Sequence, residues 1–137
     1  MKEITIEATP ENVDRAIEMV DEVLEEYGCG KSTQMEINVA VDELFSNIAH
    51  YAYDPGTGYA TVQVDIIQEP LTAKITFVDS GKPYDPLAKA DPDITQSIEE
   101  RPIGGMGIMI VKKSMDAVDY EYKDGKNILT IKKRIDE

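Results

Sequence analysis

The chain has 137 residues, of which 42% are hydrophobic and 30% charged, values typical of one globular domain and unlike those of disordered chains. Its formal net charge of −13 argues against general binding to nucleic acid, and a single cysteine, Cys29, excludes an internal disulfide. The N-terminal stretch lacks the apolar segment of a secretory signal, and the longest apolar run, IGGMGIMIV, is too short to span a bilayer. We therefore expect one domain over residues 1–137, in the cytoplasm, that contacts neither membrane nor nucleic acid directly.

Charge is distributed unevenly along the chain. Residues 1–100 carry 21 acidic and 6 basic side chains, whereas residues 101–137 carry 6 acidic and 8 basic side chains. The first region would repel an anionic ligand and the second would attract it. We expect the C-terminal third to contribute to any site for an anion.

The first part of the chain predicts one strand followed by two helices. The stretch KEITIEA alternates apolar and polar residues and indicates a strand. Pro10, with Thr9 as its N-cap, is expected to open the first helix. The second helix is expected to begin near Ser32–Thr33, where Thr33 and Glu36 fit a capping box, and to run to about Tyr53 before the breaker DPGTG.

The second part predicts two hairpins separated by a long segment and a helix. The strands YATVQVDIIQ and LTAKITFVD are joined by a short link, and a segment rich in Pro, Asp and Gly then runs from Ser80 to Gly107. A third helix begins at Ile108, and AVDYEYK and NILTIKKR form a hairpin across Asp124–Gly125. This order predicts an α+β fold, a two-layer sandwich with a mixed, mostly antiparallel sheet and helices on one face.

Helix 2 carries two polar residues on a stripe that is otherwise apolar. Glu43 and Asn47 lie one turn apart in DELFSNIAHYAY, so their side chains share one helix face. An amide oxygen suits Mg²⁺, which binds phosphates, and a carboxylate one turn earlier can accept a proton from an attacking hydroxyl. The alternative is that Glu43 and Asn47 lie on a solvent-exposed edge of the helix and bind nothing.

Two further stretches combine glycines with features suited to binding a ligand. In DSGKPYDP, Asp79 ends a strand and can present its carboxylate to a ligand amino group, while Gly81 permits close backbone approach. An ordinary turn would have the same composition. In GGMGIMIVKK, glycines precede a helix and leave its first amides free for phosphate, although the string is neither a Walker P-loop nor a Rossmann fingerprint. A flexible linker is the alternative there.

Taken together, DELFSNIAHYAY, VDSGKPYDP and ERPIGGMGIMIVKKSMD resemble the N, G1 and G2 boxes of the ATPase superfamily of gyrase, heat-shock chaperones, histidine kinases and mismatch-repair proteins. Within that superfamily the chain is most similar to the anti-sigma factor serine kinases, from about residue 4 to residue 135. The resemblance implies the histidine-kinase-like ATPase fold, with ATP and Mg²⁺ as cofactors. It also implies a homodimer whose partners are an anti-anti-sigma (STAS-type) antagonist and a sigma factor.

The resemblance assigns roles to the N and G1 boxes. Glu43 matches the general base of the family, and Asn47 matches the asparagine that binds Mg²⁺. Asp79 matches the aspartate that accepts the adenine amino group. Gly81 and Pro83 match the remainder of the D-x-G-x-P motif, so both are expected in the nucleotide site.

The remaining assignments concern the C-terminal part. Gly105 and Gly107 match the G-x-G that opens the phosphate-facing loop, and residues 82–104 would form a lid over ATP. Arg101 is the nearest match to an arginine for the γ-phosphate, although two extra residues separate it from G-x-G. Relatives often carry a threonine after the glycine of the last hairpin, where this chain has Lys126 and Asn127, and Thr130 is the nearest threonine.

The implied function is an ATP-dependent serine/threonine protein kinase that phosphorylates the antagonist and otherwise holds the sigma factor. One alternative is a nucleotide-gated anti-sigma binding module without kinase activity. Another is the detached catalytic domain of a histidine kinase. That one is least favoured because the single histidine, His50, lies inside the N box and cannot serve as the acceptor of a dimerisation helix.

Overall fold

The computed structural model describes residues 1–88 and 105–136. The strands within these ranges are β1 (Lys2–Glu7), β2 (Tyr59–Ile67), β3 (Thr72–Asp79), β4 (Ala117–Lys123) and β5 (Lys126–Arg134). The α-helices are α1 (Val13–Glu26), α2 (Lys31–Asn47) and α3 (Gly105–Ser114). Short 3₁₀ turns span Pro10–Asn12 and Pro86–Ala88, and a π-helical turn, Ile48–Ala52, follows α2. No helix in these two ranges is long and apolar enough to cross a membrane.

The five strands form one sheet in the order β1-β2-β3-β5-β4. All four neighbouring pairs are antiparallel, so the described sheet is wholly antiparallel rather than mixed. The β4–β5 hairpin turns at Asp124 and Gly125, whose φ angles of 54° and 76° are the positive values that a type I′ turn requires. The predicted hairpin and the α+β class are therefore confirmed.

The core lies between one face of the sheet and the helices. Alternate strand residues such as Val62, Phe77 and Ile131 are buried together with Leu24 and Phe45 of the helices. Burial of each such side chain stabilises the fold by roughly 1.5–3 kcal/mol. The opposite sheet face carries polar residues, as period-two alternation in a half-solvated antiparallel sheet requires.

Three predicted helix starts differ from the structure. The Thr9 side chain makes no capping hydrogen bond, and Pro10 opens a 3₁₀ turn so that α1 begins only at Val13. The capping-box prediction is wrong, since Gly30 is the N-cap of α2 and Thr33 is buried within the helix. The third helix starts at Gly105 instead of Ile108, so Gly105 and Gly107, which were expected to precede it, lie in its first turn.

Candidate functional site

A pocket opens where the end of α2, the end of β3 and the β4–β5 hairpin meet. Asn47 and Asp79, which the sequence predicts as binding residues from distant positions, both line it. Three tyrosines, Tyr51, Tyr84 and Tyr120, contribute to its wall, and the ring centroids of Tyr51 and Tyr84 are 6.2 Å apart. Most of its other lining residues are apolar, namely Leu44, Ile48, Ala52, Phe77, Pro86 and Leu129. Flat aromatic and apolar walls with a few polar groups suit a planar organic ligand.

Asp79 is the last residue of β3 and is only 6% exposed. Its Oδ1 accepts hydrogen bonds from the backbone N–H of Gly81 at 2.9 Å and from Nδ2 of Asn127 at 2.9 Å. Burial raises the pKa of this carboxyl, and the two hydrogen bonds oppose that rise. A buried carboxylate at a pocket wall is well suited to accept a hydrogen bond from a ligand amino group.

Asn127 is the buried polar partner of Asp79 and lies directly opposite it in the β3–β5 register. Its Nδ2 also donates to the carbonyl of Lys82 at 2.9 Å. Its Oδ1 accepts from the Tyr120 hydroxyl and from the backbone N–H of Tyr84 at 3.1 Å. In the sequence, Asn127 was noted only as a departure from the family pattern. Its role follows from the strand register, which places it opposite Asp79.

The turn after β3 packs against the π-helical turn. A Cβ atom at Gly81 would overlap the backbone carbonyl of Ala52, so glycine is required for this close approach. The N–H of Lys82 donates to that same carbonyl at 3.0 Å. Tyr53, which sequence reasoning missed, donates its hydroxyl to the Tyr59 carbonyl at 2.6 Å and accepts from the N–H of Ser80 at 2.8 Å. These bonds fix Asp79 relative to α2.

Glu43 lies one turn before Asn47 and is half-buried. Burial raises the pKa of its carboxyl, a hydrogen bond from the Asn47 side chain opposes the rise, and the nearby charge of Asp42 adds to it. The Glu43 carboxyl covers Gly107 of α3, where a Cβ atom would overlap it. Glu43 does not line the pocket itself. It therefore lies between the pocket residue Asn47 and the first turns of α3.

The Asn47 amide fits a magnesium ion by its chemistry. Its amide oxygen is a hard, neutral ligand of the kind that Mg²⁺ accepts beside phosphates. In residues 1–88 and 105–136 there is no group of three or more His, Cys, Asp or Glu side chains that could hold a metal. Mg²⁺ does not require such a group, because it retains waters and takes one or two protein oxygens beside phosphates.

Other predicted site residues fall outside the pocket. Pro83 is exposed and does not line it, whereas Pro86 is buried and does. Thr130 does not line it either: its hydroxyl lies 3.5 Å from that of Thr76, on the sheet face away from the helices. Thr130 is three residues beyond Asn127, and residues an odd number apart in a strand point to opposite faces.

The G2 region is described in part. Gly105 opens α3. The backbone N–H groups of the first turn have no carbonyl within the same helix to which they can donate. Arg101 lies outside the described residues. The expected lid is described only over residues 82–88, and this part is held by the hydrogen bonds of Lys82 and Tyr84 and by burial of Pro86. Residues 89–104 of the lid also lie outside the described residues.

Comparison with known proteins gives relatives over most of the chain. A family model described as "Histidine kinase-like ATPase domain" matches residues 6–133. The serine/threonine-protein kinase BtrW of Bordetella bronchiseptica is 28% identical over 95 residues, which cover 69% of this chain and 66% of that protein. The serine-protein kinase RsbW of Bacillus cereus is 26% identical over 101 residues, which cover 71% of this chain and 62% of that protein. The match therefore spans just under two thirds of the length of each relative.

Two solved structures share the fold. The SiaB–SiaC complex from Pseudomonas aeruginosa gives a TM-score of 0.58 at 17% identity, covering 95% of this chain and 88% of that one. The histidine kinase domain of the blue-light activated histidine kinase EL346 from Erythrobacter litoralis gives 0.51 at 14% identity, covering 92% and 60%. These likenesses concern the fold, and they confirm the predicted histidine-kinase-like architecture.

Proposed function

Because the chain belongs to the histidine kinase-like ATPase domain family, we propose that it is an ATP-dependent serine/threonine protein kinase and anti-sigma regulatory factor. Its substrate would be a serine on an anti-anti-sigma (STAS-type) antagonist. One observation carries the proposal: Asp79 and Asn47 line the same pocket, and Glu43 lies one helical turn behind Asn47. The names of the relatives BtrW and RsbW, both serine kinases, support it.

In this proposal the pocket binds the adenine of ATP. The Asp79 carboxylate accepts a hydrogen bond from the exocyclic amino group, and the rings of Tyr51 and Tyr84 contact the faces of the base. The Asn47 oxygen holds Mg²⁺, which neutralises charge on the phosphates when bound. The first turn of α3, at Gly105 and Gly107, presents its free amides to the phosphate chain.

Glu43 would act as the general base for transfer. As the serine oxygen of the antagonist attacks the γ-phosphorus, its proton passes to the Glu43 carboxylate. The bond from the γ-phosphorus to the bridging oxygen breaks, and ADP leaves. Burial raises the pKa of the Glu43 carboxyl, which strengthens it as a base. The hydrogen bond from Asn47 orients the carboxylate for this step.

The proposed partners follow from the family resemblance. They are the antagonist, a sigma factor held when the antagonist is phosphorylated, and a second copy of the chain. The proposal places the protein and these partners in the cytoplasm. Strand β1 lies at an edge of the sheet and, with α1, is the proposed dimer surface. Light scattering at micromolar concentration that gives only the monomer mass of 15.3 kDa would reject the homodimer.

A second function, a nucleotide-gated anti-sigma binding module without transfer, is favoured by one observation. Glu43 covers Gly107 and does not line the pocket, so the carboxylate faces α3 in this structure. In that case ATP would regulate the fit to the sigma factor, and no phosphate would move.

One experiment separates the two functions. The purified protein is incubated with Mg²⁺, ATP labelled at the γ-phosphate and a STAS-type antagonist from the same genome. A kinase transfers label to one serine, which mass spectrometry identifies and a serine-to-alanine antagonist lacks. A binding module retains labelled ATP and transfers none. Failure to bind ATP at all would reject both functions.

A further inference from the structure

We infer that Asn127 is a positioning residue for nucleobase recognition, which fixes Asp79 so that only its Oδ2 is offered to the ligand. This inference rests on the proposed function, because it concerns how the same pocket recognises its base. Asn127 would not touch the reacting atoms. It would act through the Asp79 carboxylate and through the backbone at Lys82 and Tyr84, which it joins to β5.

The orientation of the Asn127 amide is determined by its surroundings. Its nitrogen faces three acceptors, Oδ1 of Asp79 and the carbonyl of Lys82, each at 2.9 Å, and the more distant carbonyl of Gly81 at 3.5 Å. Its oxygen faces two donors, the Tyr120 hydroxyl and the N–H of Tyr84. An amide has two donor and two acceptor positions, and all four are used here. A rotated amide would set its oxygen against the Asp79 carboxylate, so only one orientation is favourable.

This arrangement gives the two carboxylate oxygens of Asp79 different hydrogen-bond partners. Oδ1 accepts from Asn127 and from the N–H of Gly81, whereas Oδ2 receives neither of these bonds. With Oδ1 held from two directions, the carboxylate cannot rotate without breaking a buried hydrogen bond. Of the two carboxylate oxygens, Oδ2 is therefore the one that these two bonds leave to a ligand. A purine with an exocyclic amino group satisfies it, whereas a purine without that group leaves it unpaired.

The test compares ATP with purine riboside triphosphate, which lacks only the amino group of adenine. Isothermal titration of the unmodified protein is expected to show ATP binding about 10-fold more tightly or better, since a lost bond to a charged acceptor has roughly this effect. Asn127→Asp keeps the size of the side chain but sets an acceptor against Asp79. The ratio of the two affinities should then fall to about 1. Thr130→Val, on the same strand but the opposite face, should keep the ratio.

A positioning role requires coupling to Asp79. In an Asp79→Ala background, Asn127→Asp should cause no further loss of the ratio, because the group through which it acts is gone. A purely structural role would instead lower both affinities equally and leave the ratio unchanged. An Asn127→Asp protein that keeps the ratio of the unmodified protein overturns the inference while leaving the proposed function intact. Absence of ATP binding by the unmodified protein overturns both.

A second measurement serves if the Asn127→Asp protein does not fold. In the ¹⁵N-labelled unmodified protein, the side-chain amide resonances of Asn127 should shift when ATP is added, because Asp79 then shares its charge with the base. Inorganic triphosphate, which has no base, should leave them unchanged. Equal shifts with both ligands, or none with ATP, contradict the inference.

Discussion

The carboxyl group of Glu43 on α2 lies directly over Gly107 on α3, and the space between them does not admit a Cβ atom. Gly107 therefore sets the position of the proposed base. The two residues come from the N and G2 boxes, which are more than sixty positions apart in the chain. The glycine of the second box thus has a steric function here in addition to any contact with phosphate.

Gly107→Ala should displace the Glu43 carboxyl and reduce phosphate transfer by about 10²-fold, the usual effect of a displacement near 1 Å in a reacting group. Thermal stability should change little, because alanine favours a helix over glycine by about 1 kcal/mol and offsets part of the steric cost. Label transfer and thermal unfolding measure the two effects. Gly30→Ala is the control, since apart from its chain neighbours a Cβ there meets no described atom within 4 Å. Equal transfer by both variants would contradict the steric function.

Asp79→Asn should weaken ATP binding and raise stability at neutral pH. Burial raises the pKa of this carboxyl in the folded protein, so its contribution to stability is present at acidic pH and is lost as the pH rises through the folded pKa. An amide cannot ionise, and its oxygen can still accept from Gly81 and Asn127. ATP affinity should fall by about 10-fold, because the oxygen facing the base becomes a donor.

Thermal unfolding of both proteins from pH 4 to pH 8 and titration with ATP check this prediction. The stability advantage of the variant should shrink as the pH falls and Asp79 becomes protonated in the unmodified protein. A variant that is less stable at pH 7 and binds ATP normally would show that Asp79 has a structural role only.

Tyr53→Phe should loosen the turn that follows β3. The hydroxyl of Tyr53 bridges the N–H of Ser80 and the carbonyl of Tyr59, and its removal leaves both without this partner. The free energy of unfolding should fall by about 1 kcal/mol, as is usual for a lost hydrogen bond near the surface. Urea denaturation measures it, with Tyr59→Phe as the control because that side chain is 62% exposed. If the two variants lose equal stability, the bridge has no special role.

Periodicity and turn residues predicted the strands and the two hairpins. The family resemblance, not a local pattern, predicted that Asn47 and Asp79 share one site, and both line the same pocket. The role of Asn127 was missed because it depends on the register of β3 against β5, which brings together residues 48 apart in sequence. Thr130 lies off the pocket because it is three residues beyond Asn127, and the faces of a strand alternate along the chain.

The central claim is that Glu43 removes the proton of a serine during phosphate transfer, and Glu43→Gln tests it most directly. Glutamine keeps the size and one acceptor oxygen of glutamate but cannot take the proton at neutral pH. ATP affinity should remain near that of the unmodified protein, because Glu43 does not line the pocket. Transfer of labelled phosphate to the antagonist should fall by about 10²–10⁴-fold, the usual contribution of general base catalysis. Undiminished transfer by the Glu43→Gln protein would contradict the account.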